Sequence, residues 1–442
     1  MRTLSTQYTI KEVSIVTKGG SVEVSSMFEE LNIFDSLFLP IVSGNILMVD
    51  SIGLIGRFIF DGSEVIKISM TKDGDSEIGS FQKAFRIYKQ SDRRNLTQTS
   101  EKYILHFVSD ELIFSDQQRV NQSYVGPYSY IVDRILKDYL GVSNHALHDA
   151  TTGIRSVVIP NLRPLEAIDW CAKRSVDQYS APNYLFYSNL LGFNFASLSN
   201  LLNNPSIMDI KFEPKNLFDD SNQALRELSS ARSFEVVVEN DVIDRTRSGV
   251  NAGTFIGFDP MTRTFDSTPM NYNNIFKTML HANENPNVTE IINRDGSSNL
   301  TTVESRKVLS IFGKARKYSQ YIQRWDPESL TIIENYEDLI FQRKSILKNL
   351  TARRLKLVMP GNFQLTSGFN VFFTAPSFAR REVGEYNEDK SISGKYIIIA
   401  TRHIITMDRH ETVIEVSTDS TRNDKQLVSS VEQNNEILQY GI

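Results

Sequence analysis

Five sets of side chains in this sequence could do chemistry, and each also has a plain structural reading. Asp73-Gly74-Asp75-Ser76-Glu77 sets three carboxylates at alternate positions, as oxygen coordination of calcium would want. The helix-flanked calcium loop also needs Gly at its sixth position and Glu at its twelfth, where this chain has Ile78 and Ala84, so the stretch reads as an acidic hairpin tip. Cys171, the single cysteine, could be a nucleophile, but no nearby histidine would activate it; beside Trp170 it reads as a buried structural thiol. His403 and His410 could pair on a metal. A two-residue turn at Asp408-Arg409 would set His403 opposite Ile414 and His410 opposite Met407, which separates the imidazoles and leaves no carboxylate to complete a ligand set. The aromatic row Tyr184-Leu185-Phe186-Tyr187 with Phe193-Asn194-Phe195 could stack bases, but no Lys or Arg flanks it, so it reads as a core hairpin. Lys314, Arg316 and Lys317, then Arg343, Lys344, Lys348, Arg353, Arg354 and Lys356, could bind phosphate; solvated helix faces and ion pairs at subunit contacts are the alternative. No glycine-rich phosphate loop, nucleophile elbow or zinc-ligand spacing occurs, so no catalytic, cofactor-binding or metal-ligating residue is assigned.

Composition narrows the function classes. The 442 residues suffice for two to four domains, and 40% hydrophobic with 23% charged residues is a globular balance. No apolar run approaches the ~20 residues of a membrane span, and the first residues lack an apolar signal core. One cysteine excludes an internal disulfide and any paired-thiolate zinc site, as suits synthesis in a reducing cytoplasm. The net charge of -5, from 48 basic and 53 acidic residues, is poor for gripping nucleic acid, though it does not exclude a surface past which DNA slides.

The elements that would position these residues are mostly strands. From Ile41 to Met70 three apolar runs are separated by Gly- and Asp-bearing breaks, the punctuation of consecutive antiparallel strands. Val65, Lys67 and Ser69 alternate with Ile66, Ile68 and Met70, giving that last run one wet and one buried face. Phe85–Lys89 and Tyr103–Ser109 also alternate, with Ser91–Ser100 as a polar loop between them. Helical spacing then appears over Ser129–Leu140, ended by Gly141, and over a helix opened by Pro164. Arg226–Ser233 reads as the end of a helix and Phe234–Glu239 as a strand. Asn240–Arg324 is polar and weakly periodic, with a helix possible over Asn271–His281, and Asn335–Leu350 is helical. Leu355–Pro376 and Ile392–Ser417 return to strands, Tyr396–Ile399 being apolar at every position. Gly44, Gly62, Gly361, Gly368 and Gly394 are the expected structural turns.

Three stretches carry a resemblance. Ser43-Gly44 through Asp50-Ser51 to Gly62-Ser63-Glu64 resembles the first barrel of baseplate hub proteins of contractile-tailed bacteriophages. Ile159-Pro160-Asn161-Leu162, Pro164-Leu165-Glu166-Ala167-Ile168, Tyr184–Tyr187 and Gly192–Phe195 resemble the α/β domain that follows it. Pro360-Gly361, Gly368 before a Val-rich strand, then Ser393-Gly394-Lys395-Tyr396 and Arg402-His403 resemble the second barrel, and are similar to tail-tube and secretion-spike hubs. The likeness covers about the first 215 residues and the last 90. It implies an α+β, mainly β fold with two tail-tube-like antiparallel β-barrels, an α/β domain between them and a polar insertion. The expected divisions are a first barrel at 1–115, the α/β domain at 116–215, a second barrel from 216–240 with 350–420, the insertion at 241–349 and a C-terminal tail at 421–442. It further implies a non-enzymatic structural hub without cofactors, located in the virion tail baseplate after assembly in the host cytoplasm. Its partners would be two further copies in a homotrimer, the tail tube protein above, the spike protein below and wedge proteins around. DNA would pass through without specific binding, and no membrane would be entered. The alternatives are a tail-borne cell-wall hydrolase, which needs paired carboxylates in a cleft, and a tube–spike adaptor of a contractile secretion system.

Overall fold

Period-two patterning sets the strands of the N-terminal part, and burial follows it. Val65–Lys72 buries Ile66, Ile68 and Met70 and turns Lys67 outward. Ser43–Asp50 buries Gly44, Ile46 and Met48, and Glu101–Val108 buries Tyr103, Leu105 and Phe107. The computed structural model describes residues 8–57, 61–72, 80–143, 146–212, 229–239, 241–260, 263–287, 304–311, 336–376, 388–389 and 391–422. The acidic loop 73–77, the basic residues 314–317 and the tail beyond Arg422 lie outside the described residues.

The first β-unit is one antiparallel sheet in the spatial order Gly20–Glu23, Tyr8–Thr17, Val65–Lys72, Phe81–Asn95, Glu101–Val108, Ser43–Asp50, Phe28–Ser36. Ser43–Asp50 and Val65–Lys72 each pair with strands from elsewhere, not with the run between them, contrary to the reading of 41–70 as consecutive antiparallel strands. The middle run is also not a strand where it is described, but a helical turn at Leu54–Arg57. Asp50 causes this: one carboxylate oxygen accepts from the amides of Ile52 and Gly53, the other from Leu54 and Ile55, which stops the strand and seeds the turn. The strand before the polar loop runs on to Asn95, tied across the ladder by the two-pronged Arg93–Glu101 pair, so the loop shrinks to Leu96–Ser100.

The α/β part follows the sequence closely. Tyr128–Leu140 buries Ile131, Ile135 and Leu136 and ends on Gly141 in the left-handed conformation, which glycine adopts without the Cβ penalty. Pro164–Arg174 packs Ile168 and Cys171 against the hairpin Tyr184–Asn189 with Gly192–Ser197, whose aromatic residues are core.

In the second β-unit the ladders run Ser230–Ala231, Ser206–Phe212, Asn370–Thr374, Gly394–Thr406, His410–Thr418, Arg353–Pro360 and Ser233–Glu239. The two ends of this series are separated by Arg232 alone. Among the described strands neither unit is a closed barrel, so the architecture stands as mainly β with α/β elements. Ser230–Ala231 is a strand where the sequence suggested a helix end; residues 226–228 lie outside the described set.

The insertion contains a three-stranded sheet, Ala252–Asp259 between Thr264–Asn271 and Lys307–Ile311, with its Phe255 face packed on Phe341 of the helix Tyr336–Leu350. The helix expected over 271–281 is limited to Tyr272–Phe276.

Gly394 opens its strand with no left-handed backbone, so the strain expected of a turn is absent. A Cβ there would lie 3.1 Å from Asn283 Oδ1, which accepts from the Lys395 amide, while Asn283 Nδ2 donates to the Lys395 carbonyl. Gly394→Val should therefore cost about 1–2 kcal/mol by displacing Asn283. Coupling between Gly394→Val and Asn283→Ala in a urea double-mutant cycle checks this; strict additivity would mean the crowding is absent.

Candidate functional site: the joint between the β-units

Phe28–Ser36 has the first unit on one edge and the second on the other. Glu30 to Ser36 pairs with Thr406 to Ala400 in one antiparallel ladder, so the two units share a continuous sheet. Phe363 and Ile405, from the second unit, complete the core of the first. On the outer face Arg402 donates to Asn32 Oδ1 at 2.9 Å and pairs with Glu30 at 3.2 Å.

Asp35, in phase with the buried Leu31 and Ile33, is only 3% exposed. Its Oδ1 accepts from the Ser367 amide at 2.9 Å and its Oδ2 from the Thr366 hydroxyl at 2.6 Å. Thr366 Oγ1 in turn accepts from the Leu190 amide, and Asn189 Nδ2 donates to the Ser367 carbonyl. One loop thus ties the first unit, the second unit and the aromatic hairpin together. Burial raises the Asp35 pKa, against the hydrogen bonds from Thr366, Thr401 and Ser367 that lower it. Lys83 reaches into the same joint, donating to the Asn189 carbonyl, and burial lowers its pKa.

His403 and His410 are neighbours, contrary to the register expected from a turn at Asp408-Arg409. Ile405 pairs with His410 and His403 with Thr412, because the chain reverses one residue earlier than expected: the Thr406 amide donates to the Arg409 carbonyl, which leaves Met407-Asp408 as the turn. That shift brings the two imidazoles together on their shared face, with His403 Nδ1 3.2 Å from His410 Nε2 and from Thr412 Oγ1. Burial pushes the His403 pKa down to about 3, so the ring is neutral at neutral pH. Phe363 and Tyr8 pack on the pair. Among the described residues no three His, Cys, Asp or Glu side chains gather to hold a metal.

The remaining sequence candidates separate. Gly44 is not at a turn: it lies within Ser43–Asp50, opposite Phe107, where a Cβ would meet that ring and the Asn32 carbonyl at 2.3 Å. Gly62 and Gly368 have φ of +88° and +90°. A Cβ on Gly368 would also strike Tyr187 Oη at 2.1 Å, and one on Gly361 would strike the His410 ring. Cys171 is fully buried, and burial pushes its thiol up. The basic cluster is dispersed, and two members expected at solvent or a subunit contact point inward. Arg343 donates to the Pro182 carbonyl and Arg353 to the Ser391 carbonyl, both inside the chain.

Sequence reasoning missed two buried polar ties of the insertion. Arg245 donates to the Asn287 carbonyl and to Asn349 Oδ1. His281 sits with Nδ1 2.5 Å from Asp419 Oδ2 and Nε2 2.6 Å from the Phe276 carbonyl, which can only accept. Neither pairing has a local sequence signal. Asp35 had one: a carboxylate in the inward phase of an apolar strand.

No protein-family description matches the chain, and no curated protein matches it in sequence. Solved structures do match in fold. A tail protein from Neisseria meningitidis MC58 superposes with a TM-score of 0.51 at 13% identity, over 93% of this chain and 97% of that one. The 43 kDa tail protein of prophage MuSo2 from Shewanella oneidensis gives 0.51 at 9% identity, over 93% and 98%. At such identities the likeness is one of fold, and it runs through nearly the whole of each molecule: this chain folds as these two tail proteins do.

Proposed function

We propose that the chain is a structural hub of a phage tail baseplate, joining the tail tube to the central spike and forming part of the DNA channel, with no covalent chemistry. The observation that carries the reading is the ladder between Glu30–Ser36 and Ala400–Thr406, which sets two β-units edge to edge. Residues 1–115 and 216–240 with 350–420 would be two tube-like barrels, with 116–215 and 241–349 elaborating the outside and 421–442 docking on the spike. Three chains would then supply six barrels to a pseudo-sixfold ring, with the tube protein above, the spike below and wedge proteins around. The fold shared with tail proteins supports this, and the net charge of -5 suits a lumen that DNA crosses without being held.

Native mass measurement at ~10 µM, with and without the spike protein, tests the ring. A trimer is expected in at least one condition, and a strict monomer in both contradicts it. A peptidoglycan turbidity assay separates the hub from the hydrolase reading: no clearing is expected, and clearing abolished by single carboxylate substitutions would replace the hub with an enzyme.

A further inference from the structure

Phe38 and Leu39, at the tip of the loop between Phe28–Ser36 and Ser43–Asp50, are 43% and 52% exposed. On one side of Phe38 lies a groove of about 450 Å³ floored by Phe38, Ile340 and Leu347, with Lys173, Lys344 and Lys348 on its rim. It adjoins a second hollow of about 530 Å³ that shares Phe38, Leu347 and Lys173. Ile340 is itself 43% exposed, so among the described residues the floor offers apolar surface.

We propose that this groove seats a segment of a partner protein presenting a large apolar side chain flanked by carboxylates. The charge of the rim selects the partner. Lys173 is paired with Asp169 at 2.6 Å and Lys348 with Asp244 at 2.8 Å. Lys344 makes no ion pair among the described residues; burial, and after it the cationic neighbours Arg306 and Lys348, disfavour its charge, against a smaller opposing effect of Asp244, which is paired with Lys348. A carboxylate arriving there relieves that repulsion, while an apolar side chain covers Phe38 and Ile340. A nucleic-acid backbone would meet the cations but leave the floor wet, so the acidic, apolar segment is the better fit. The site requires no particular oligomeric state of the chain.

The test uses the full chain and a fluorescein-labelled peptide, Glu-Glu-Leu-Phe-Glu-Glu, followed by fluorescence polarisation. Saturable binding is expected, weakened about tenfold when Ser replaces Leu and Phe, and about fivefold when Gln replaces Glu. Lys344→Glu should weaken it about fivefold without lowering the melting temperature, because no ion pair is broken. Ile340→Ser should weaken it independently of charge. Absence of saturation at ~1 mM peptide, equal binding of the Gln peptide, or binding unchanged in both variants overturns the proposal. Displacement of the peptide by short duplex DNA would reassign the groove to nucleic acid.

Discussion

Gly44→Val is expected to cost roughly 3 kcal/mol or more, although valine is much the better strand former. The position is inside a strand, paired with Ile33 on one side and Phe107 on the other. A Cβ there would lie 2.3 Å from the Asn32 carbonyl oxygen and 2.3 Å from the Phe107 ring, far inside van der Waals contact. The ring can change rotamer, but the carbonyl belongs to a strand held in ladders on both edges. Phe107→Leu in the same chain should therefore recover only part of the loss. Urea unfolding followed by circular dichroism measures it. An unchanged midpoint for Gly44→Val would mean that Phe107 does not cover the glycine and that the register of Ser43–Asp50 on Glu101–Val108 is wrong.

Gly44 also shows where sequence reading stops. Glycine and a nearby polar residue suggest a turn, and only the cross-strand partner reveals a vacancy kept for an aromatic ring. Elements whose signal is local were legible: the wet and dry faces of Val65–Lys72, the helix Tyr128–Leu140 with Gly141 after it, and the aromatic hairpin. Partnership was not. The ladder joining Phe28–Ser36 to Gly394–Thr406 links opposite ends of the chain, and nothing in either segment names the other. The histidines show how sensitive such inference is, since moving the turn by one residue, from Asp408-Arg409 to Met407-Asp408, was enough to bring them together. In the insertion the apolar pattern misleads for another reason. Phe265 and Leu309 are 67% and 65% exposed while Phe255 is buried, so apolar character there does not mark the inside.

Replacing Asp35 by Ala should cost about 2–4 kcal/mol, because the Ser367 amide and the Thr366 hydroxyl would both lose a buried acceptor. Asp35→Asn should cost far less: its Oδ1 can still accept from Ser367, and its amide can donate to a Thr366 hydroxyl that rotates. The two variants separate the need for a polar group from the need for a charge. Burial raises the Asp35 pKa above its ordinary 3.8, so folding favours the protonated acid. Its favourable contribution is therefore complete below the unfolded value and is lost as pH rises through the folded one. Above that range the native protein carries a buried carboxylate that the Asn variant does not. The stability of wild type relative to Asp35→Asn should thus fall as pH rises from ~4 to ~8, while Asp35→Ala remains least stable throughout. Urea titrations of the three proteins across that range provide the measurement. Parallel pH profiles for wild type and Asp35→Asn would show that burial does not govern the Asp35 carboxyl. An alanine variant as stable as wild type would show that the Thr366–Ser367 loop does not depend on it to hold the two β-units together.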